Sequence, residues 1–420
     1  MKYNNRQEKS MTKYLREFAE VTAGPFGELF NNIIMSDSGI PVINIKNLGH
    51  GQIITSEMNY IPVEQAKSLS TFSLKEGDIL LGRIGKAGKF AYIMKEQEGW
   101  IQGTDCIRIR CNSTVNARYI AHCFNINAIK DQLKAHIIGC TMPSINSKAV
   151  EEIQFPLPKR EKQDEVDSVL SNLYKRKICN QKTIIRIENM VKTIFEYWFL
   201  EFKTPLISSL DELQWNDTLG ISIPKNWKAV PLEQVTEQIT DGEHKLVETC
   251  SNGQYWLYGA GNIKENHICT SVFDKKIDRA SFQRIRKRTK TEKGDILLSI
   301  AGTIGSITLL RSNLDNIEFQ RSVAMIKPDP DLICSEYLYQ YMISAMPQIC
   351  ALAKGSSQRS ITLAALRKFP VLVPPMKVQK SYLENVSGLY QLVEIMIREN
   401  EELHKVYELL LNEFHRRTVE

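Results

Sequence analysis

The chain has 420 residues, 43% hydrophobic and 24% charged, with 54 Lys and Arg against 48 Asp and Glu. That length excludes one small domain, the composition excludes a disordered or fibrous chain, and about 150 residues per domain predicts two or three cores. No stretch approaches the ~20 consecutive apolar residues that cross a bilayer, the N-terminus MKYNNRQEKSMTKYL has no signal-peptide core, and nine cysteines without a CxxC pair fit a reducing cytoplasm.

In chain order, residues 11–158 read as a first α+β globule: β-branched runs at 78–81 and 106–109, glycine turns, and a helical stretch around 119–133. Within it, Gly82-Arg83-Ile84-Gly85-Lys86-Ala87-Gly88-Lys89 resembles a phosphate loop, but a P-loop needs Gly-x4-Gly-Lys followed by Ser or Thr, and residue 90 is Phe. A strand followed by two glycines three apart predicts a hairpin, with Arg83, Lys86 and Lys89 as candidate DNA contacts on it. Residues 159–203 then carry a 3.5-residue apolar rhythm without Pro or Gly, which predicts one helix of about 40 residues, on the order of 60 Å long.

Residues 204–223, with Pro205, Ser208, Ser209, Gly220 and three acids, read as a linker. A second α+β globule follows at 224–375 and a second long helix at 376–416. The second globule holds the densest positive charge of the chain, Arg284-Ile285-Arg286-Lys287-Arg288-Thr289-Lys290. Arg284, Arg286, Lys287 and Arg288 are therefore expected on a DNA-facing surface as phosphate contacts. Residues 1–160 and residues 224–375 each carry 20 Lys and Arg against 15 Asp and Glu, while residues 161–223 with 376–420 carry 14 against 18. Two basic globules joined by helices of the opposite balance suggest two contacts on one polyanion.

The two halves repeat. Gly77-Asp78-Ile79-Leu80-Leu81 recurs at Gly294-Asp295-Ile296-Leu297-Leu298, Gly85 and Gly88 at Gly302 and Gly305, Asn44-Ile45-Lys46 at Asn262-Ile263-Lys264, Gln102 at Gln320, Tyr119 at Tyr337, Gly139 at Gly355, Ser144-Ile145 at Ser360-Ile361 and Pro158 at Pro374. Half of the chain is a diverged copy of the other half.

Catalytic constellations are missing. No cysteine or histidine spacing completes a tetrahedral metal set, no Ser or Cys stands in a nucleophile elbow, and Glu201-Phe202-Lys203 is a lone Glu-x-Lys. A DNA methyltransferase would need a glycine-rich cofactor loop and a polar-Pro-Pro-aromatic loop, yet Pro374-Pro375 is followed by Met376. The expected assignment is no catalytic, cofactor-binding or metal-binding residue in this chain.

The duplicated Gly-Asp-Ile-Leu-Leu with its glycine turn, Gly355-Ser356-Ser357-Gln358-Arg359-Ser360-Ile361 before the second long helix, Ile223-Pro224-Lys225-Asn226-Trp227 and Ile194-Phe195-Glu196-Tyr197-Trp198-Phe199 together resemble the specificity subunit of type I restriction-modification systems, over nearly the whole chain. The resemblance implies two target-recognition domains, each reading half of a bipartite site in double-stranded DNA. The two helices would act as a ruler and dock methyltransferase (modification) subunits. It adds Gln358 and Arg359 to the candidate DNA contacts. S-adenosylmethionine, ATP and magnesium chemistry would belong to partner subunits, including a restriction and translocase subunit, in the cytoplasm and away from membranes. Two departures stand out: the first copy lacks the Ile-Pro-x-x-Trp opening, and residues 139–144 hold no basic residue where the second copy has Arg359. A coiled-coil adaptor without a nucleic-acid role and a stand-alone DNA-modifying enzyme are the rival readings.

The apolar seams predict how the long helices pack. Positions 166, 170, 173, 177, 180, 184, 187, 191, 194 and 198 mirror 414, 410, 407, 403, 400, 396, 393, 389, 386 and 382 in antiparallel order, with one globule at each end of the pair. That register sets Asn180 against Asn400, whereas parallel pairing would bury each amide without a mate, at about 1–3 kcal/mol apiece.

Overall fold

The computed structural model describes residues 12–26, 34–55, 57–85, 87–139, 143–204, 213–250, 252–264, 267–269, 274–355 and 359–419. Two compact units emerge, one of residues 1–180 with 398–420, the other of residues 181–397. Each is an α+β globule with part of both long helices, Arg160–Phe199 and Met376–Val419.

In the first unit a five-stranded sheet orders Ala19–Ala23, Cys106–Cys111, Ile79–Gly82, Phe90–Tyr92 and His50–Gly51 as neighbours, beside a three-stranded sheet of Asn59–Ile61, Ile40–Ile43 and Ile101–Gln102. The second unit repeats the plan: Thr236–Asp241, Val323–Pro328, Ile296–Ser299 and Ile307–Leu309 in one sheet, Lys275–Ile277, Tyr255–Tyr258 and Ile317–Phe319 in the other. In both small sheets the central strand is antiparallel to one neighbour and parallel to the other.

The duplicated Gly-Asp explains itself in this frame. Gly77 and Gly294 turn the chain at φ +92° and +96°, a region that costs glycine little. The following Asp is buried and does two things. Asp78 accepts from the Lys75 amide (2.8 Å) and from Arg110 on the next strand (2.7 Å twice); Asp295 accepts from the Glu292 amide (2.9 Å) and from Lys327 (3.0 Å). A buried carboxylate needs such a partner, so the turn and the sheet register are fixed by one side chain. Tyr119 and Tyr337 likewise repeat a role, each donating its hydroxyl to a strand carbonyl, Pro156 O (3.0 Å) and Leu372 O (2.7 Å).

Three sequence expectations change. The stretch around 119–133 is two helices, Ala117–Cys123 and Asn127–His136. Residues 213–223, read as the end of a linker, form with Pro224 an antiparallel hairpin of Leu213–Asn216 with Ile221–Pro224 that buries Ile223. Asn262 corresponds to Asn47, not Asn44. Asn47 accepts from the Asn44 amide (3.1 Å) and donates to Ile54 O (3.1 Å), as Asn262 accepts from the Gly259 amide (2.9 Å) and donates to Cys269 O (3.0 Å).

The long helices pack antiparallel. In the first unit Lys162 Nζ lies 5.6 Å from the Phe414 ring centroid, Val166 and Leu170 share a core with Leu411, and Asn180 Nδ2 donates to Asn400 Oδ1 at 3.2 Å. Arg176 holds Glu399 through two hydrogen bonds (2.8 and 3.0 Å), and Asn180 also donates to Glu399 (2.8 Å). In the second unit Trp198 meets Tyr382 with ring centroids 6.0 Å apart, within a core that includes Phe195, Phe199, Val386 and Tyr337. Among the described residues no helix is long and apolar enough to cross a membrane.

Candidate nucleic-acid interface

Each glycine turn is the tip of a hairpin. Ile79–Gly82 pairs antiparallel with Phe90–Tyr92 and Ile296–Ser299 with Ile307–Leu309, with Gly85, Gly88, Gly302 and Gly305 at φ between +79° and +97°. The turn is clipped to the loop that precedes the unit's last strand. In the first unit Ile84 bridges Ser144 and the Ile145 amide donates to Arg83 O (2.9 Å); in the second Ala301 bridges Ser360 and the Ile361 amide donates to Ile300 O (2.8 Å).

This clip brings the turn candidates and the Arg359 loop into equivalent places. Arg83 is partly exposed on the turn of the first unit; in the second, the turn has the buried Ile300 at that position and the cation comes from the exposed Arg359 on the other loop. Lys89 is half-buried, and its carbonyl accepts from the Gly82 amide (2.6 Å). Lys86 and Gln358 lie outside the described residues.

The basic run is a helix, Arg279–Thr289. Asp278 caps it by accepting from the Ser281 amide (2.7 Å), a bond that holds the Asp278 carboxyl below its ordinary range. Phe282, Ile285 and Thr289 face inward, and this helical spacing divides the four cations.

Arg286 corrects the expectation of four phosphate contacts. It sits on the inward face, pairs with the fully buried Glu318, and donates to Leu314 O (2.5 Å) and Ile317 O (3.0 Å). Thr289 Oγ1 gives Glu318 a second donor at 2.9 Å. Burial pushes the Glu318 carboxyl up, against the pull of Arg286. Removing such a charge to meet a phosphate would strand the other one in the core. Arg288 is also engaged internally, donating to Gly242 O and lying 3.5 Å from Asp241, although its side chain stays 41% exposed. Arg284, 53% exposed and 3.7 Å from Glu243, and the exposed Lys287 are the outward cations. In the first unit the same strand leads into the short helix Val63–Ser68, which carries one lysine.

Sequence reading missed one duplicated pair. Gln163, at the start of the first long helix, accepts from the Asn116 amide and donates to Pro158 O, both at 2.8 Å; Gln379 accepts from the Cys334 amide and donates to Pro374 O, also both at 2.8 Å. Both glutamines are buried, and each ties its long helix to a helix of its globule. Their common spacing from Pro158 and Pro374 was the available signal. Among the described residues no group of three or more His, Cys, Asp or Glu could hold a metal ion.

Comparison with known proteins agrees with this duplicated plan. The family model for the type I restriction modification DNA specificity domain matches twice, at residues 7–189 and 224–405. A putative type I restriction enzyme MjaX specificity subunit of Methanocaldococcus jannaschii is 22% identical over 89% of this chain and 86% of its own length. The type I restriction enzyme EcoBI specificity subunit of Escherichia coli is 22% identical over 86% of this chain and 74% of its own. Among solved structures, the type I restriction-modification S subunit from M. genitalium superposes with a TM-score of 0.52 at 14% identity, covering 98% of this chain and 97% of that one, and so shares the fold. With two matched copies spanning most of its length, the chain belongs to the family of type I restriction-modification DNA specificity subunits.

Proposed function

We propose that each unit of this DNA sequence-recognition subunit reads one half of a bipartite duplex site. The long helices set the spacing between the halves and hold methyltransferase subunits, and a restriction and translocase subunit joins that assembly. The observation that carries this reading is the division of labour within each repeat: the duplicated side chains are buried in turns, caps and helix ties, while the exposed cations differ between the copies. Arg83 in the first unit and Arg284, Lys287 and Arg359 in the second contribute phosphate contacts, which position a protein on DNA without specifying sequence. Methyl transfer, with S-adenosylmethionine, and ATP- and magnesium-dependent cleavage reside in the partner subunits, and the chain works in the cytoplasm.

The test is reconstitution. The purified chain should bind mixed duplex DNA with steep salt dependence and transfer no methyl group alone, and methylation should appear when modification subunits are added. Methyl transfer by the partner-free chain, or binding indifferent to salt, would remove this reading.

A further inference from the structure

The loop that follows strand Thr236–Asp241 is held unusually well for a segment so exposed at its tip. Gly242 is wedged between strands: a Cβ there would lie 2.1 Å from Phe319 O and 2.3 Å from Gln320 O, so no other residue fits without moving backbone. Its amide donates to Val323 O (3.1 Å), the Glu243 amide to Phe319 O (2.8 Å), and the Arg321 amide to Glu243 O (3.1 Å). Arg288 holds Gly242 O and Asp241, while Arg284 lies beside Glu243. The far end is anchored by Val247, 7% exposed in a cluster with Leu257, Ile277, Phe282 and Ile285.

Between these anchors stand three exposed side chains. His244 lies 2.8 Å from Asp241, the Lys245 amide donates to Glu243 Oε1 (2.9 Å), and Leu246 is 93% exposed. A leucine this bare on a loop pinned at both ends has no packing role in the unit. The first unit repeats the near anchor and a bare apolar side chain beyond it: the Gly24 amide donates to Cys106 O (2.9 Å), a Cβ on Gly24 would lie 2.0 Å from Gly103 O, and Phe26, two residues on, is 67% exposed.

We infer that His244, Lys245 and Leu246 are the base-reading side chains of the second unit, with Arg284 and Arg288 as positioning residues that fix their loop. The inference rests on the DNA-recognition reading above and deepens it. The chemistry suits base edges in the major groove: a lysine or histidine N–H donates to guanine O6 or N7, and an aliphatic tip packs on a thymine methyl. Rigid placement is what such discrimination requires, and phosphate contacts from Arg284 and Lys287 on the adjacent helix would set the depth of insertion. The basic run thereby acquires a second role, since two of its arginines hold a reader instead of touching bases themselves.

The experiment is selection of a random duplex pool by the full chain, followed by sequencing, for the natural protein and for a His244→Ala, Lys245→Ala, Leu246→Ala variant whose thermal melting is compared first. The natural chain should enrich a bipartite motif. The variant should melt as the natural chain does and enrich the same motif with one half degenerate, losing about 5- to 150-fold discrimination at each base that a removed side chain reads. Failure of the natural chain to enrich any motif would overturn the DNA-recognition reading itself. A variant motif with both halves intact, or with both halves lost together, would overturn the assignment of this loop while leaving that reading in place.

Discussion

The two units solve one folding problem identically and one surface problem differently. Asp78 with Arg110 and Asp295 with Lys327 lock equivalent turns to equivalent strands, and Gln163 and Gln379 tie equivalent helices. The cation beside the glycine turn, by contrast, comes from the turn in one unit and from the opposite loop in the other, and an 11-residue basic helix replaces a 6-residue one. The residues by which the chain is recognised as a repeat are thus those that hold the scaffold. Target selectivity has to be sought where the copies disagree.

The largest expected break of this comparison is inside the basic helix, where Arg286 is paired in the core and the neighbouring Lys287 is exposed. Arg286→Ala should cost about 3–5 kcal/mol of stability, because it leaves Glu318 buried without its partner. Lys287→Ala, one residue on and exposed, should change stability by less than about 0.5 kcal/mol. Urea titrations of the two variants check this, and equal losses would mean that the helix does not present these faces. A variant with all four cations replaced would therefore report unfolding, not DNA contact.

The paired glutamines offer the next test, because the comparison demands the same result twice. Gln379→Ala orphans the Cys334 amide and the Pro374 carbonyl, Gln163→Ala the Asn116 amide and the Pro158 carbonyl, and each should lose about 2–4 kcal/mol. A loss in one unit only would show that the tie is not a shared scaffold element. On the surface, Arg284→Ala with Lys287→Ala should lower the salt slope of duplex binding by about two units while leaving the melting temperature in place. An unchanged slope would make both cations solvated bystanders.

Much of this architecture was legible because duplication repeats what matters for folding. The Gly-Asp turns, the glycine hairpins and the long helices follow from matched residues and a sustained apolar period. What stayed hidden depends on helical phase and on side chains bridging loops. Arg286 stands four residues after Phe282 and three before Thr289, on the apolar stripe, but a run of five cations in seven residues masks that spacing when counted as charge. Asn44-Ile45-Lys46 matched Asn262-Ile263-Lys264 as letters, whereas the shared task of bridging a loop belongs to Asn47 and Asn262. The hairpin at 213–224 was masked by Asp217 and Gly220, which lie in its turn and read as linker residues. With Gly242 aligned on Gly24, His244, Lys245 and Leu246 fall on residues of other types, as expected of a reader that differs between copies.

The smallest expected effect lies in the helix seam, where the duplication is broken by one layer. Asn180 and Asn400 form a polar layer in the first unit; the equivalent positions of the second are Met396 and Ile184, which pack as half-buried apolar residues against its core. Asn180→Ile alone should lose about 1–2 kcal/mol, since Asn400 and Glu399 each lose a hydrogen-bond donor. Adding Asn400→Met gives the layer the two residue types of the second unit in exchanged positions and should recover most of that loss, so a double-mutant cycle in urea showing strict additivity would mean the two side chains are not coupled. Glu399 supplies a control that depends on pH. Hydrogen bonds from Arg176 and then from Asn180 hold its carboxyl below the ordinary range. Its folded pKa is thus lower than its unfolded one, so its contribution is complete above the ordinary carboxylate value and is lost as pH falls through the depressed value. The stability gap between the natural chain and a Glu399→Gln variant should accordingly be full at neutral pH and close as pH falls from the ordinary carboxylate range through the depressed value. A gap that holds constant over that range would show that the Arg176 contact contributes nothing through charge, and the polar layer would then rest on the two asparagines alone.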